Sequence, residues 1–181
     1  MKTYHIINEN DQKALKTWHK SLQDNRGERA RLRRVSNSDD VLLTSAFAGF
    51  LQQMPGYWGV APDATGIGFS DAAMVAAVLA RVKDASPEQS FATSLAKPKE
   101  KGGKVPMSEL RFQQLQKSRT EQEFFTRLCR AVDLLGGKVN ILSLADSILH
   151  WLREFRFAPA SRPQDRLAVR WASDYYAAFK D

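Results

Sequence analysis

Apolar residues recur at intervals of three and four positions along most of this sequence, and that spacing places them on one face of an α-helix. The best example follows Thr120, where a step of 100° per residue puts six apolar side chains on one arc: Phe124, Phe125, Leu128, Cys129, Val132 and Leu135. Strict alternation of apolar and polar residues, the pattern of a half-buried β-strand, is hard to find over four or more positions. The sequence therefore predicts an all-α protein.

Turn and capping residues divide the chain into successive helices. Before residue 97 we expect helices after Asn8 and over residues 41–54 and 71–84. Two prolines, two glycines and four lysines between residues 97 and 106 favour a flexible basic loop. After it, helices are predicted from Ser108, from Thr120, and over residues 141–157 and 163–179. We therefore predict two small bundles: an N-terminal one of residues 1–96, a loop of residues 97–107, and a C-terminal four-helix bundle of residues 108–181.

Composition limits the setting in which the protein works. The chain has 181 residues, a formal net charge of +7 and a single cysteine, which excludes an intrachain disulfide and suggests a reducing compartment. No apolar run of signal-peptide length precedes Glu9, and the longest uncharged stretch, residues 41–62, has too short an apolar part to cross a bilayer. We predict a cytoplasmic protein with no membrane partner.

Positive charge is concentrated in a few segments. Residues 26–34 contain five arginines and one glutamate. Arg127 and Arg130 lie opposite the apolar arc of their helix, so both are predicted to be exposed, and Arg166 and Arg170 share the polar face of the last helix. Like charges at this density cost stability unless a polyanion neutralises them. Nucleic acid is the predicted partner, with ion pairs inside the molecule, a phospholipid surface or an acidic protein as the alternatives.

Signatures of catalysis and of metal or cofactor binding are weak. The three histidines have no metal-ligand spacing, and Cys129 on the apolar arc is predicted to be an inert core thiol. Asp39 and Asp40 fit the first turn of a helix better than a metal site. We predict no catalytic centre, no metal and no cofactor. Tyr57 and Trp58, in a loop with glycines, are kept as candidates for stacking on bases.

Three segments of the chain carry a family resemblance. They are GERARLRR at residues 27–34; ELRFQQL at 109–115, running on to FFTRLCRAV at 124–132; and NILSLADSILHW at 140–151, followed by RWA at 170–172. In this order, and in a basic helical chain of this length, they resemble the family of CasB, the small subunit of the type I-E CRISPR surveillance complex called Cascade. The loop at residues 97–104 is not part of the resemblance.

The resemblance implies a non-catalytic protein of two helical bundles, present as two copies along a complex built on CRISPR RNA. In that family the small subunit helps to hold the R-loop: its basic surface guides the displaced non-target DNA strand and supports the duplex of RNA and target DNA. Other faces contact the backbone and large subunits of Cascade. The nucleic-acid-binding residues implied here are Arg29, Arg33, Arg34, Arg111, Arg119, Arg127, Arg130 and Arg170. The helical-face argument alone adds Lys138 and Arg166.

Two functions of other classes stay open at this stage. A helical regulator would read one duplex sequence through a recognition helix. An enzyme with an unrecognised site would show substrate-dependent turnover. Binding that ignores sequence distinguishes the Cascade subunit from the regulator.

Overall fold

A computed structural model of the chain describes residues 4–60 and 66–179. Within them the chain is mostly helical. The α-helices are α1 (Glu9–Asp24), α2 (Arg26–Arg34), α3 (Ser45–Gln53), α4 (Phe69–Leu79), α5 (Phe91–Ala96), α6 (Glu109–Gln116), α7 (Glu121–Leu134), α8 (Ile141–Arg156) and α9 (Leu167–Ala177). Two 3₁₀-helices cover Ser38–Leu43 and Pro163–Asp165. None of the helices in these residues is both long enough and apolar enough to span a bilayer.

A two-stranded parallel sheet is the element that the all-α prediction missed. Strand β1 (Asp84–Ala85) pairs with β2 (Lys138–Val139), with Asp84 opposite Lys138. The carbonyl of Gly137 also accepts the backbone N–H groups of Lys83 and Asp84, at 2.8 and 3.1 Å. These bonds draw the chain away from α4, which is why that helix ends at Leu79 rather than at residue 84 as predicted. Two-residue strands are too short to show any alternation.

Local capping sets the helix starts close to the predicted positions. Asn8 and Asp11 form a capping box at α1, and Ser108 and Thr120 accept the N-cap hydrogen bonds of α6 and α7. The predicted helix over residues 41–54 is instead a 3₁₀-helix followed by α3. The side chain of Thr44 accepts a hydrogen bond from Phe47 N and so begins a new helix inside the apolar run.

The buried side chains form one continuous cluster that includes helices from both sides of residues 97–107. Helix α4 packs on α8, and α5 packs on α9. The C-terminal segment contains the four predicted helices, α6 to α9. Its arrangement as a separate bundle, and the division of the chain at residues 97–107, stay predictions.

The apolar arcs that define this core agree with the sequence periodicity except at the chain's end. All six residues of the α7 arc are buried, as are Leu167, Trp171 and Tyr175 of α9. Phe179, predicted to continue the α9 arc, is 53% exposed. Helix α9 ends at Ala177, so the helical step no longer applies to Phe179.

Cys129 is buried, and burial raises the pKa of its thiol to about 11. We expect the native protein at pH 8 to react with a thiol-alkylating reagent roughly 100-fold more slowly than the protein unfolded in urea. In the native protein little of the thiol is ionised, and the reagent cannot reach it. The rate of adduct formation, followed by mass spectrometry, measures this. Equal rates in the two states would contradict the core position of the thiol.

Candidate nucleic-acid interface

The ten cationic residues predicted to bind nucleic acid divide into two groups in the structure. Six are exposed, and their side chains form no hydrogen bond or ion pair with any described residue: Arg33, Arg34, Arg111, Arg119, Arg130 and Lys138. The other four are half-buried, and contacts inside the molecule engage their side chains: Arg29, Arg127, Arg166 and Arg170. All ten are predicted to bind nucleic acid, but only the first six are exposed and without partners among the described residues.

A shallow depression between α6 and α7 brings three of the predicted arginines together. Arg111 of α6 and Arg127 and Arg130 of α7 line a volume of about 480 Å³. Its other lining residues are Met107, Gln114, Leu115, Asp133 and Leu134. The floor is apolar and the rim is basic, with Asp133 as the acidic residue. Such a surface suits a ligand with an anionic backbone and apolar rings.

Arg127 is only partly exposed, and its bonds hold this depression together. Its Nη1 donates to the Gln114 carbonyl and, at 3.2 Å, to Ser118 Oγ, while Nη2 forms an ion pair with Glu123. Arg127 is less exposed than predicted because α6 crosses α7 on the side where this guanidinium emerges. These bonds fix α6 against α7, with Arg111 on one helix and Arg130 on the other.

The C-terminal end of α2 meets α7 from the other side. Gln122 Nε2 donates to the carbonyl of Ser36 at 2.7 Å. Arg81, which follows α4, connects the same two elements. It donates to the Arg33 carbonyl of α2 at 3.2 Å and to Oδ2 of Asp133, near the end of α7, at 3.4 Å. The helical step places Arg130 between the side of α7 that meets α2 and the side that meets α6. Arg130 is therefore the centre of a surface flanked by both neighbouring elements.

We call this surface the arginine face. It consists of five exposed guanidinium groups, on α2, on α6, at the α6–α7 turn and on α7: Arg33, Arg34, Arg111, Arg119 and Arg130. Sequence reasoning missed Arg81, whose bonds place the end of α2 beside α7. No local signal in the sequence identifies it, because its partners Asp133 and Arg33 lie 52 and 48 residues away. Lys138 lies apart from this face, on β2.

Arg29 is turned toward the protein. Its Nε donates to the carbonyl of Ala80 at 3.2 Å, where a cation is favourable because α4 ends there. Its Nη2 is buried without a hydrogen-bond partner among the described residues. Burial, followed by the charge of Arg33, lowers the pKa of Arg29. The residue therefore serves the packing of α2 on α4.

The α9 arginines are likewise engaged within the molecule. Arg166 Nε donates to the Ala160 carbonyl at 2.7 Å and so ties the preceding loop to α9. Arg170 Nη1 lies 3.0 Å from His150 Nδ1, and its Nη2 lies 3.9 Å from Asp146 Oδ2. Burial lowers the pKa of His150. A neutral ring that accepts from Arg170 at Nδ1 can donate at Nε2 to Glu154, 2.8 Å away.

The candidate aromatic residues for base stacking are used inside the fold. Trp58 is buried, and its Nε1 donates to Asp11 Oδ1 at 2.8 Å. The hydroxyl of Tyr57 donates to the same oxygen at 2.7 Å. These bonds hold the rings against α1, which corrects the stacking hypothesis. Residues 4–60 and 66–179 contain no cluster of three or more His, Cys, Asp or Glu side chains suited to a metal ion.

The described residues form a small, mostly helical protein with exposed arginines on neighbouring elements. The sequence model of the family described as CRISPR-associated protein Cse2 (CRISPR_cse2) matches residues 28–176, which include all ten predicted residues. The chain belongs to the Cse2 family, the non-catalytic small subunit of type I-E Cascade, which confirms both the family resemblance and the prediction that it is not an enzyme. Comparisons with curated proteins and with solved structures returned no match.

Proposed function

We propose that the arginine face binds the phosphate backbone of nucleic acid in the Cascade R-loop. The displaced non-target strand is its main ligand, and the duplex of CRISPR RNA and target DNA is supported beside it. The observation that carries the proposal is the placement of five exposed arginines, unpaired among the described residues, around the solvent-facing side of α7. Arg156 and Arg162, also exposed, are by contrast paired with carboxylates: Asp71 and Glu121 for the first, and Asp165 for the second.

The chemistry of guanidinium groups fits this ligand. Their planar donors match phosphate oxygens, and binding releases the counterions that condense on nucleic acid. Contacts to phosphates carry no sequence information, which the guide RNA supplies. Exchange of a DNA duplex for an RNA–DNA duplex is nearly balanced in free energy, so modest contacts to the displaced strand can shift it. A non-catalytic subunit can therefore stabilise the R-loop through charge alone.

Protein partners are a second part of the proposal. Family membership places the chain in a Cascade complex, and we propose contacts with the backbone subunits, the large subunit and a second copy of this chain. Exposed apolar side chains that are not part of the arginine face suit such contacts, notably Leu43 and Phe157, which are 90% and 76% exposed.

The test replaces Arg111 and Arg130 together by glutamine. Each single-strand phosphate contact contributes about 0.7 to the slope of log K against log salt concentration, so we expect the slope to flatten by about 1.4. The measurement is a salt titration of binding to single-stranded DNA of several sequences, followed by the lifetime of an R-loop formed with the other Cascade subunits. We expect a shorter lifetime on every target.

The matched control replaces Lys13 and Lys20 by glutamine. These exposed residues of α1 precede the family match, and their loss removes the same charge while leaving the arginine face intact. The control should keep the wild-type slope. Equal flattening in both variants would show a general charge effect, and tight binding to one duplex sequence without effect on the R-loop would favour a regulator.

A further inference from the structure

The lysine-rich loop at residues 97–107 lies outside the arginine face, and the proposed function gives it no role. One end of the loop is held firmly: Met107 N donates to the Leu95 carbonyl at 3.0 Å, and the Met107 carbonyl accepts from the Tyr175 hydroxyl at 2.6 Å. Lys97 and Lys99, near the other end, are exposed. The loop is thus fixed on the core while it presents its charges to solvent.

Lys97 and Lys99 meet Lys138 of β2 around a second depression, with a volume of about 520 Å³. The remaining lining residues are Ser86, Glu88, Gln89, Ser94, Pro98, Pro106, Leu135 and Gly136. The lining therefore includes three lysines and one carboxylate, that of Glu88. None of the three lysines forms an ion pair within the part of the chain that the structure describes.

Two glycines in the turn after α7 leave room for a lysine side chain close to the backbone. Gly136 and Gly137 have φ values of +66° and +76°, in the left-handed region that favours glycine. A Cβ on Gly136 would lie 3.2 Å from Lys99 Nζ, so this ammonium group sits directly over the turn. The negative end of the helix dipole accounts for one cation there. It does not account for Lys97 and Lys138 as well.

The two depressions adjoin each other along the last turn of α7. Asp133 and Leu134 line the arginine depression, and the next two residues, Leu135 and Gly136, line the lysine depression. The loop contributes in the same way, because Met107 lines the first depression and Pro106 lines the second. A ligand that crosses Arg130 toward the end of α7 therefore meets the lysines next.

We infer that the lysine depression continues the arginine face as one track for a single strand of nucleic acid. In this track Lys97, Lys99 and Lys138 bind the phosphates that follow those held at Arg111 and Arg130. The inference rests on the proposed function and extends its binding site across the end of α7. Lysine acts here as a point charge, so the extension adds affinity without sequence preference.

The test uses the full chain with Lys97 and Lys99 replaced by glutamine, and oligothymidylates of about 6 and about 16 nucleotides, near the limits of known single-strand site sizes. In the wild type the long strand reaches both depressions, so its salt slope exceeds that of the short one. The variant should lose about 1.4 from the slope for the long strand and retain little dependence on length. Circular dichroism checks that it is folded.

The control replaces Lys101 and Lys104 by glutamine. They are exposed in the same loop and carry the same charge, but they do not line the depression. A wild-type slope in the control, with a flattened slope in the Lys97 and Lys99 variant, supports the track. Equal effects of both lysine pairs, or no effect of either, would overturn it. A flattened slope in the Arg111 and Arg130 variant would then leave the proposed function standing, whereas no effect there either would overturn both.

Discussion

Replacing Asp146 by alanine is expected to lower the free energy of unfolding by about 3 kcal/mol, because a buried carboxylate that accepts several hydrogen bonds is lost. Asp146 lies on α8 and is 1% exposed. Its two oxygens accept the backbone N–H groups of His5, Ile6 and Ile7 at 3.2, 2.7 and 3.1 Å. Alanine leaves all three donors without this partner. Urea denaturation measures the change.

The loss of stability in the Asp146 variant should affect the N-terminal segment, residues 5–7, most directly. Hydrogen exchange of the amides of residues 5–7 is expected to speed up in the variant, because their acceptor is gone. Asp24→Ala, at an exposed position at the end of α1, serves as the control and should change stability by less than about 0.5 kcal/mol. Unchanged stability and unchanged exchange in the Asp146 variant would show that this carboxylate does not hold the segment.

The parts of the fold that are readable from the sequence are those with local causes. Asn8, Ser108 and Thr120 begin helices because their side chains accept hydrogen bonds from residues three positions later. The pairing of Asp84 with Lys138 has no such cause, since it depends on the packing of α4 and α7 into one core. A contact between residues this far apart produces no periodic pattern of apolar residues from which it could be predicted.

The same distinction explains the outcome for the arginines. The helical step places Arg127 and Arg130 away from the buried arc of their own helix. It cannot show that α6 lies across Arg127 and leaves Arg130 open. Arg170 is a second case, because its neighbours His150 and Asp146 belong to α8. A polar face predicts exposure only where no second element covers it.

Under the proposed function, the engaged arginines support binding indirectly. Arg127 ties α6 to α7, and Arg81 ties the end of α2 to the other side of α7. Both bonds fix elements whose exposed residues form the arginine face, so that Arg33, Arg111 and Arg130 are held at set positions before any ligand arrives. Preorganisation of this kind reduces the entropy lost when a strand binds. Under the proposed function, some arginines thus hold the face together and others contact the strand.

Replacing Asp11 by alanine is the second substitution for which we expect a loss of about 3 kcal/mol. Asp11 is 1% exposed, and its Oδ1 accepts from Tyr57 and Trp58 while its Oδ2 accepts from Asn8 N at 3.0 Å. Without it, the indole N–H of Trp58 is left buried without its acceptor, and the capping box of α1 is lost. The free energy of unfolding in urea measures the effect.

Asp11→Asn separates the two roles of this side chain. The amide keeps one oxygen that can accept from Tyr57 and Trp58, but its NH₂ group meets the backbone donor of Asn8. We therefore expect a loss of about 1 kcal/mol, typical of a helix cap, against the larger loss in Asp11→Ala. Equal losses would mean that the bonds to the two aromatic residues add nothing. Since the hydrogen bonds of Asp11 go to Asn8, Tyr57 and Trp58 and not to the arginine face, both variants should keep the wild-type salt slope for single-stranded DNA at temperatures where they are folded.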